Sequence, residues 1–125
     1  MATVDPTPEQ VTALAQSSHD GPVQMINLLQ FKPDGGREGY GTYVAAAQAH
    51  VDAVGGRVVA MGEPRHVVIG DEEPPWWDAI LTVEYPSIAA FLTMVSSDSY
   101  QAIAHLRSDA LSRAALIATA PEVVA

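Results

Sequence analysis

The chain contains no cysteine, so proton transfer and substrate contact fall to His, Tyr, Asn, Arg and the carboxylates. His105 is the leading candidate for moving a proton, since a neutral imidazole acts as acid or base near neutral pH. Asp109 lies four residues on, within reach on a helix to orient the ring. The plain alternative is a surface histidine paired with that aspartate. Asn27 is the second catalytic candidate. It is a polar residue in an otherwise apolar stretch, and a buried amide left without a partner costs about 1–3 kcal/mol. It suits either a substrate-orienting amide, which can stabilise an oxyanion, or a structural hydrogen bond.

Tyr40 and Tyr43 share one side of a helical stretch, where rings can line a cavity while hydroxyls reach a ligand. Arg37 precedes them in a Gly-rich turn. With six Lys and Arg in the whole chain, an arginine there suits an anionic group, or an ion pair with Asp34 or Glu38. Tyr100 and Arg107 lie on one side of the last helical stretch. With Trp77 they complete the substrate-binding candidates: Arg37, Tyr40, Tyr43, Trp77, Tyr100 and Arg107. Trp76 is expected as lid or interface. Asp78 and Glu84 can act as an acid/base pair only if their strand face borders a cavity; surface placement is the commoner outcome. Glu63 and His66 flank a strand irregularity, a feature that often sits near active sites.

Much chemistry is excluded or unsupported. Thiolate nucleophiles, disulfides, iron–sulfur clusters and thiolate zinc sites need cysteine. His19, His50, His66 and His105 are far apart, so no local metal-ligand spacing is present and no metal is expected. Walker A, G-x-G-x-x-G, G-x-S-x-G and H-E-x-x-H motifs do not occur, and no cofactor is expected. The formal net charge of -9 argues against nucleic acid or an anionic membrane, both of which call for a basic patch. Neither a signal-peptide pattern nor an apolar run of about 18 residues is present, so a cytoplasmic location is expected.

The elements that must position these residues follow from periodicity. Thr7-Pro8-Glu9-Gln10 has the form of a capping box and opens a helix to about residue 18. Val23 to Phe31 is too apolar and short for a surface helix, and reads as a central strand. Residues 37–54 form an amphipathic helix ended by Gly55-Gly56. Arg57 to Ile69 reads as one long strand, irregular at Gly62-Glu63-Pro64 because proline cannot donate to a ladder. Asp78 to Tyr85 is a third strand, after a loop from Asp71 to Trp77. Ser87 caps a helix to about Ser96, a second helix starts at Asp98 and runs to about Leu111, and Ala114 to Ala120 is the last strand.

After the leading helix this order is βαββαβ, the split-βαβ, ferredoxin-like plan. The fold class is α+β, with a four-stranded antiparallel sheet. Residues 1–22 are an N-terminal helical extension, 23–121 the domain, and 122–125 a tail. Met25, Asn27, Leu29 and Phe31 point to one sheet face, and Gln24, Ile26, Leu28 and Gln30 to the other. Both faces carry apolar residues while the helices cover one. A homodimer packed sheet to sheet, a dimeric α+β barrel, satisfies this pattern; cover by the leading helix is the alternative.

Several blocks in this order resemble the domain of unknown function 1330 family. They are Asn27-Leu28-Leu29-Gln30-Phe31-Lys32-Pro33; Gly36-Arg37-Glu38-Gly39-Tyr40 with Tyr43; Val54-Gly55-Gly56-Arg57; Trp77-Asp78 with Val83-Glu84-Tyr85-Pro86-Ser87; and Tyr100 to His105. The resemblance spans roughly residues 23–120. It implies a small dimeric α+β barrel and brings no settled reaction. The family often places arginine directly after the last-helix histidine; here Leu106 intervenes before Arg107. The function expected is a small cofactor-independent enzyme doing acid–base chemistry on an apolar small molecule, aromatic or polyketide-like. Isomerisation, cyclisation, elimination and hydrolysis all fit, and oxygenation without a cofactor is a narrower version. The alternative is a non-catalytic small-molecule-binding or structural dimer.

Overall fold

Nine residues from Val23 to Phe31 alternate strictly between buried and half-buried, the signature of a strand with both faces in use. In a computed structural model, which describes residues 4–71 and 75–122, this strand β1 (Val23–Phe31) lies inside a four-stranded antiparallel sheet. The order is β2-β3-β1-β4, with β2 (Arg57–Gly62), β3 (Ala79–Tyr85) and β4 (Leu111–Thr119). The helices are α1 (Pro8–Ala15), α2 (Gly36–Ala53), α3 (Ile88–Ser96), α4 (Asp98–Gln101) and α5 (Ala104–Ala110). The ferredoxin-like α+β fold is the one the element order predicts.

Local chemistry sets the helix starts. The Thr7 side chain accepts from the Gln10 amide while the Gln10 side chain accepts from the Thr7 amide, a complete capping box. Ser87 caps α3 through the Ala90 amide, and Ser97 caps α4 through the Tyr100 amide. At the entry to α2, a Cβ on Gly36 would stand 2.7 Å from the Ala110 carbonyl oxygen. That oxygen also accepts from the Lys32 amide at 2.9 Å. Only glycine lets the ends of β1 and α5 meet there.

Cross-strand partners assign the faces. On the helix-covered side, Met25, Asn27 and Leu29 of β1 sit opposite Val83, Leu81 and Ala79 of β3. Val23, Met25, Leu29 and Tyr40 are the largest fully buried side chains. On the outer side, Ile26 is flanked by Thr82 and Ile117, and Leu28 by Ile80 and Ala115. These outer residues of β1 and β3 are half-buried, and Ile117 is 49% exposed.

The helix expected from Asp98 to about Leu111 is broken at Ala102 and Ile103 into α4 and α5, and three element boundaries also depart from expectation. α1 ends at Ala15 and packs against α3, on the helical side, so it does not cover the outer face. β2 stops at Gly62, where its pairing with Ile80 ends. Pro64 follows without an N–H to continue the ladder, and the apolar Val67-Val68-Ile69 run is not strand. β4 begins at Leu111, three residues early, because Leu111 already pairs with Phe31 across an irregularity. Residues 72–74 of the expected loop and 123–125 of the expected tail lie outside the described residues.

Candidate functional site

All four tyrosines of the chain gather in the layer between helices and sheet. Tyr40 and Tyr43 come from α2, Tyr85 from the end of β3 and Tyr100 from α4. The Tyr43 and Tyr100 hydroxyls share a 2.7 Å hydrogen bond. Ring contacts make a continuous row. Phe31 meets Tyr40 at 5.6 Å, Tyr40 meets Tyr43 at 5.4 Å, Tyr43 meets Tyr100 at 6.4 Å, and Tyr100 meets His50 edge-on at 6.1 Å. The Arg37 guanidinium stands over Phe31, 4.8 Å from the ring centre, at the near end of the row.

Arg107 enters from α5. Its guanidinium lies beside the Tyr40 hydroxyl and donates to the Val4 carbonyl at 2.6 Å. Ser108 donates to Asp5 at 2.6 Å, so α5 holds the chain's leading segment across this end of the layer. Burial pushes the Tyr40 hydroxyl up to about 12, with Arg107 opposing. Burial raises Tyr43 further above the ordinary tyrosine value, reinforced by the neighbouring Tyr100. Tyr85 is raised too, by burial first and then by Tyr100 and Tyr40. These hydroxyls are therefore neutral hydrogen-bond donors at physiological pH, not bases. Asn27, 7% exposed, donates from its amide nitrogen to the Leu81 carbonyl at 3.1 Å. That is the structural bond its burial requires.

The structure thus brings together Tyr40, Tyr43, Tyr100, Arg107 and, through Phe31, Arg37. It adds Tyr85 and His50, neither singled out from the sequence. His105 is exposed on α5. Tyr100 and His105 belong to separate helices, broken at Ala102 and Ile103, so no single helical phase relates the two side chains. Trp77 lies elsewhere, half-buried in a groove of about 580 Å³ with Ile80, Pro75 and the segment from Pro64 to Asp71. Trp76 meets Trp77 at 5.4 Å, and Arg113 stands 4.1 Å over the Trp76 ring. A second groove, of about 350 Å³, is lined by Lys32, Arg37, Glu38 and Asp78 among others. Neither groove has Asn27 or His105 in its wall.

The carboxylate candidates have structural partners. Asp78 accepts from the Phe31 amide at 2.9 Å. Glu84 accepts from Gln24 at 3.0 Å and pairs with Arg57 at 3.1 Å; the Gln24 hydrogen bond first, then Arg57, holds its carboxyl below the usual range. Glu63 pairs with Arg65 at 3.5 Å. Among the described residues no group of three or more His, Asp or Glu is placed to hold a metal ion, and no helix is long and apolar enough to cross a membrane.

Residues 34–121 match the profile of a family described as a domain of unknown function, DUF1330. No curated protein matches the chain. Among solved structures, a protein of unknown function from Rhodopseudomonas palustris is 29% identical, with a TM-score of 0.89, covering 99% of this chain and 100% of its own. Two more distant structures share the fold. A dimeric ferredoxin-like protein of unknown function from Bacteroides fragilis is 12% identical, TM-score 0.54, covering 78% of this chain and 94% of its own. A putative antibiotic biosynthesis monooxygenase from Caulobacter crescentus is 15% identical, TM-score 0.57, covering 82% and 92%.

Proposed function

The chain belongs to the DUF1330 family, and on that premise we propose that it is a homodimeric small-molecule enzyme working by acid–base chemistry without a dedicated cofactor. The observation that carries this reading is the convergence of four tyrosines and Arg107 in one largely apolar layer. Neutral hydroxyls in such surroundings polarise a substrate carbonyl and stabilise negative charge developing on its oxygen. Isomerisation, cyclisation and elimination at a carbon next to a carbonyl call for such donors. The aromatic walls suit an apolar, aromatic or polyketide-like molecule, and Arg37 suits an anionic substituent at the near end of the row.

In this reading the imidazole that exchanges a proton is His50, whose ring meets Tyr100, rather than the exposed His105. Asn27 positions substrate through its carboxamide, and Trp77 contributes to the subunit interface instead of the tyrosine layer. The dimer packs through the outer sheet face, where Ile26, Leu28, Ile80 and Ile117 have no helix over them. A dimeric relative of the same fold supports this.

A second reading has its own support. The two open grooves lie away from the tyrosine layer, as expected for a non-catalytic binding or structural dimer. Solvent-deuterium exchange into a panel of aromatic ketones, followed by NMR, separates the two. The enzyme reading expects exchange with wild type, loss of it in Tyr100→Phe and His50→Asn, and retention in His105→Ala. Equal exchange in wild type and Tyr100→Phe overturns the tyrosine site. No exchange by wild type on any ketone favours the non-catalytic dimer.

A further inference from the structure

We propose that the segment from Glu63 to Asp71 is an arm that clasps a second copy of this chain, seating Val68 and Ile69 against the partner's outer sheet face. The inference rests on the sheet-to-sheet dimer proposed above and adds the element that makes it stable. Three observations carry it.

The first is exposure. Val68 is 90% and Ile69 95% exposed, against at most 52% for the other exposed large apolar side chains among the described residues. Two adjacent β-branched side chains offered almost whole to water are uncommon on a monomer surface and mark a contact site. Gly70, with φ of +141°, ends the run in a conformation that suits glycine alone.

The second is position. The arm leaves the sheet at Gly62, at the end of edge strand β2, and forms one wall of the 580 Å³ groove whose other wall includes Trp77 and Ile80. Ile80 belongs to the outer row beside Leu28. Arm, groove and open sheet face are thus continuous on the side that no helix covers.

The third is area. Four strands about 4.8 Å apart, with about seven residues each at about 3.3 Å, present a face of roughly 20 by 23 Å, or about 450 Å². A stable interface takes roughly 800 Å² from each partner. A face of that projected size lies at the small end of what such an interface uses, and an apolar arm beside it enlarges the contact. A second copy is the occupant because both complementary parts are on one chain. A two-fold axis uses each arm and each face once and closes the assembly.

Analytical ultracentrifugation of the full chain tests this, on wild type and on the double variant Val68→Asp/Ile69→Asp. Both side chains are solvent-exposed, so the monomer fold is expected to survive, with far-UV circular dichroism as the check. Wild type should sediment with the mass of two chains, and the variant should dimerise about tenfold or more weakly. An unchanged dissociation constant in the variant overturns the clasp and leaves the sheet-to-sheet dimer standing. A wild-type monomer at every concentration overturns the dimer itself. Because the chain has no cysteine, Ile69→Cys provides a single thiol as a second reading. Its maleimide labelling should slow about tenfold or more on going from dilute monomer to concentrated dimer; a rate independent of concentration counts against the clasp.

Discussion

The two faces of the sheet are built from alternate residues of the same strands, and they are finished differently. On the inner face every large side chain of β1 is buried, and Asn27, the polar residue among them, has its hydrogen bond. On the outer face the same strand offers Gln24, Ile26, Leu28 and Gln30, all half-buried, with no helix above them. The inner face is complete within one chain. The outer face has no layer over it from the chain's own helices, so the proposed site and the proposed dimer contact fall on opposite sides of one sheet.

Adjacent residues expose the contrast most strongly. Leu29→Ala, at 0% exposure, should cost about 2–5 kcal/mol in urea unfolding. Leu28→Ala, its neighbour on the outer face, should cost roughly 1 kcal/mol in dilute solution and more as protein concentration rises. Equal costs at all concentrations would erase the distinction between the faces. Next in size is a pair on α2. Gly36→Ala places a methyl against the Ala110 carbonyl and should destabilise by about 1–3 kcal/mol. Gly41→Ala meets nothing within 4 Å and should stabilise by about 0.4–1 kcal/mol.

Smaller again is Tyr43→Phe, which removes the bond to Tyr100 and should cost about 1 kcal/mol at neutral pH. Its pH profile is more telling. Tyr40 titrates near 10 unfolded and about 12 folded; its contribution is therefore complete below pH 10 and is lost as pH rises through about 12. Tyr43 and Tyr85 are shifted in the same direction. Wild-type Tm should therefore fall steeply from pH 10 upward, and Tyr43→Phe should fall less steeply. Smallest is Glu84→Gln, on the outer face. Its pair with Arg57 is exposed to water, so the urea midpoint should not move measurably in high salt.

Much of the architecture could be read from local chemistry. The Thr7 capping box, the Ser87 cap and the alternation in β1 each depend on residues a few positions apart, and each formed as their spacing requires. The end of β2 was not legible in the same way. Val67, Val68 and Ile69 have the composition of a strand, but strand formation needs a pairing partner, and the β2–β3 pairing ends at Gly62 opposite Ile80, one residue from the start of β3. The site was half legible. Tyr40 and Tyr43 share a helix face by spacing alone. Tyr85 and Tyr100 join them only through the sheet order, which no local pattern encodes. His50 and His105 are alike in type and setting; the phase of each helix against the sheet separates them.

The strand order also governs how the molecule must be made. β1 is the first strand synthesised, yet one of its two neighbours, β4, is the last, and Gln24 waits 95 residues for the Thr119 hydroxyl that closes that edge. At about 5–20 residues per second on a ribosome, that interval is on the order of 5–20 s. Throughout it a strand whose alternate side chains are destined for the core presents an open edge, so a nascent chain, or one cut short before Leu111, is expected to depend on a chaperone or to aggregate through β1.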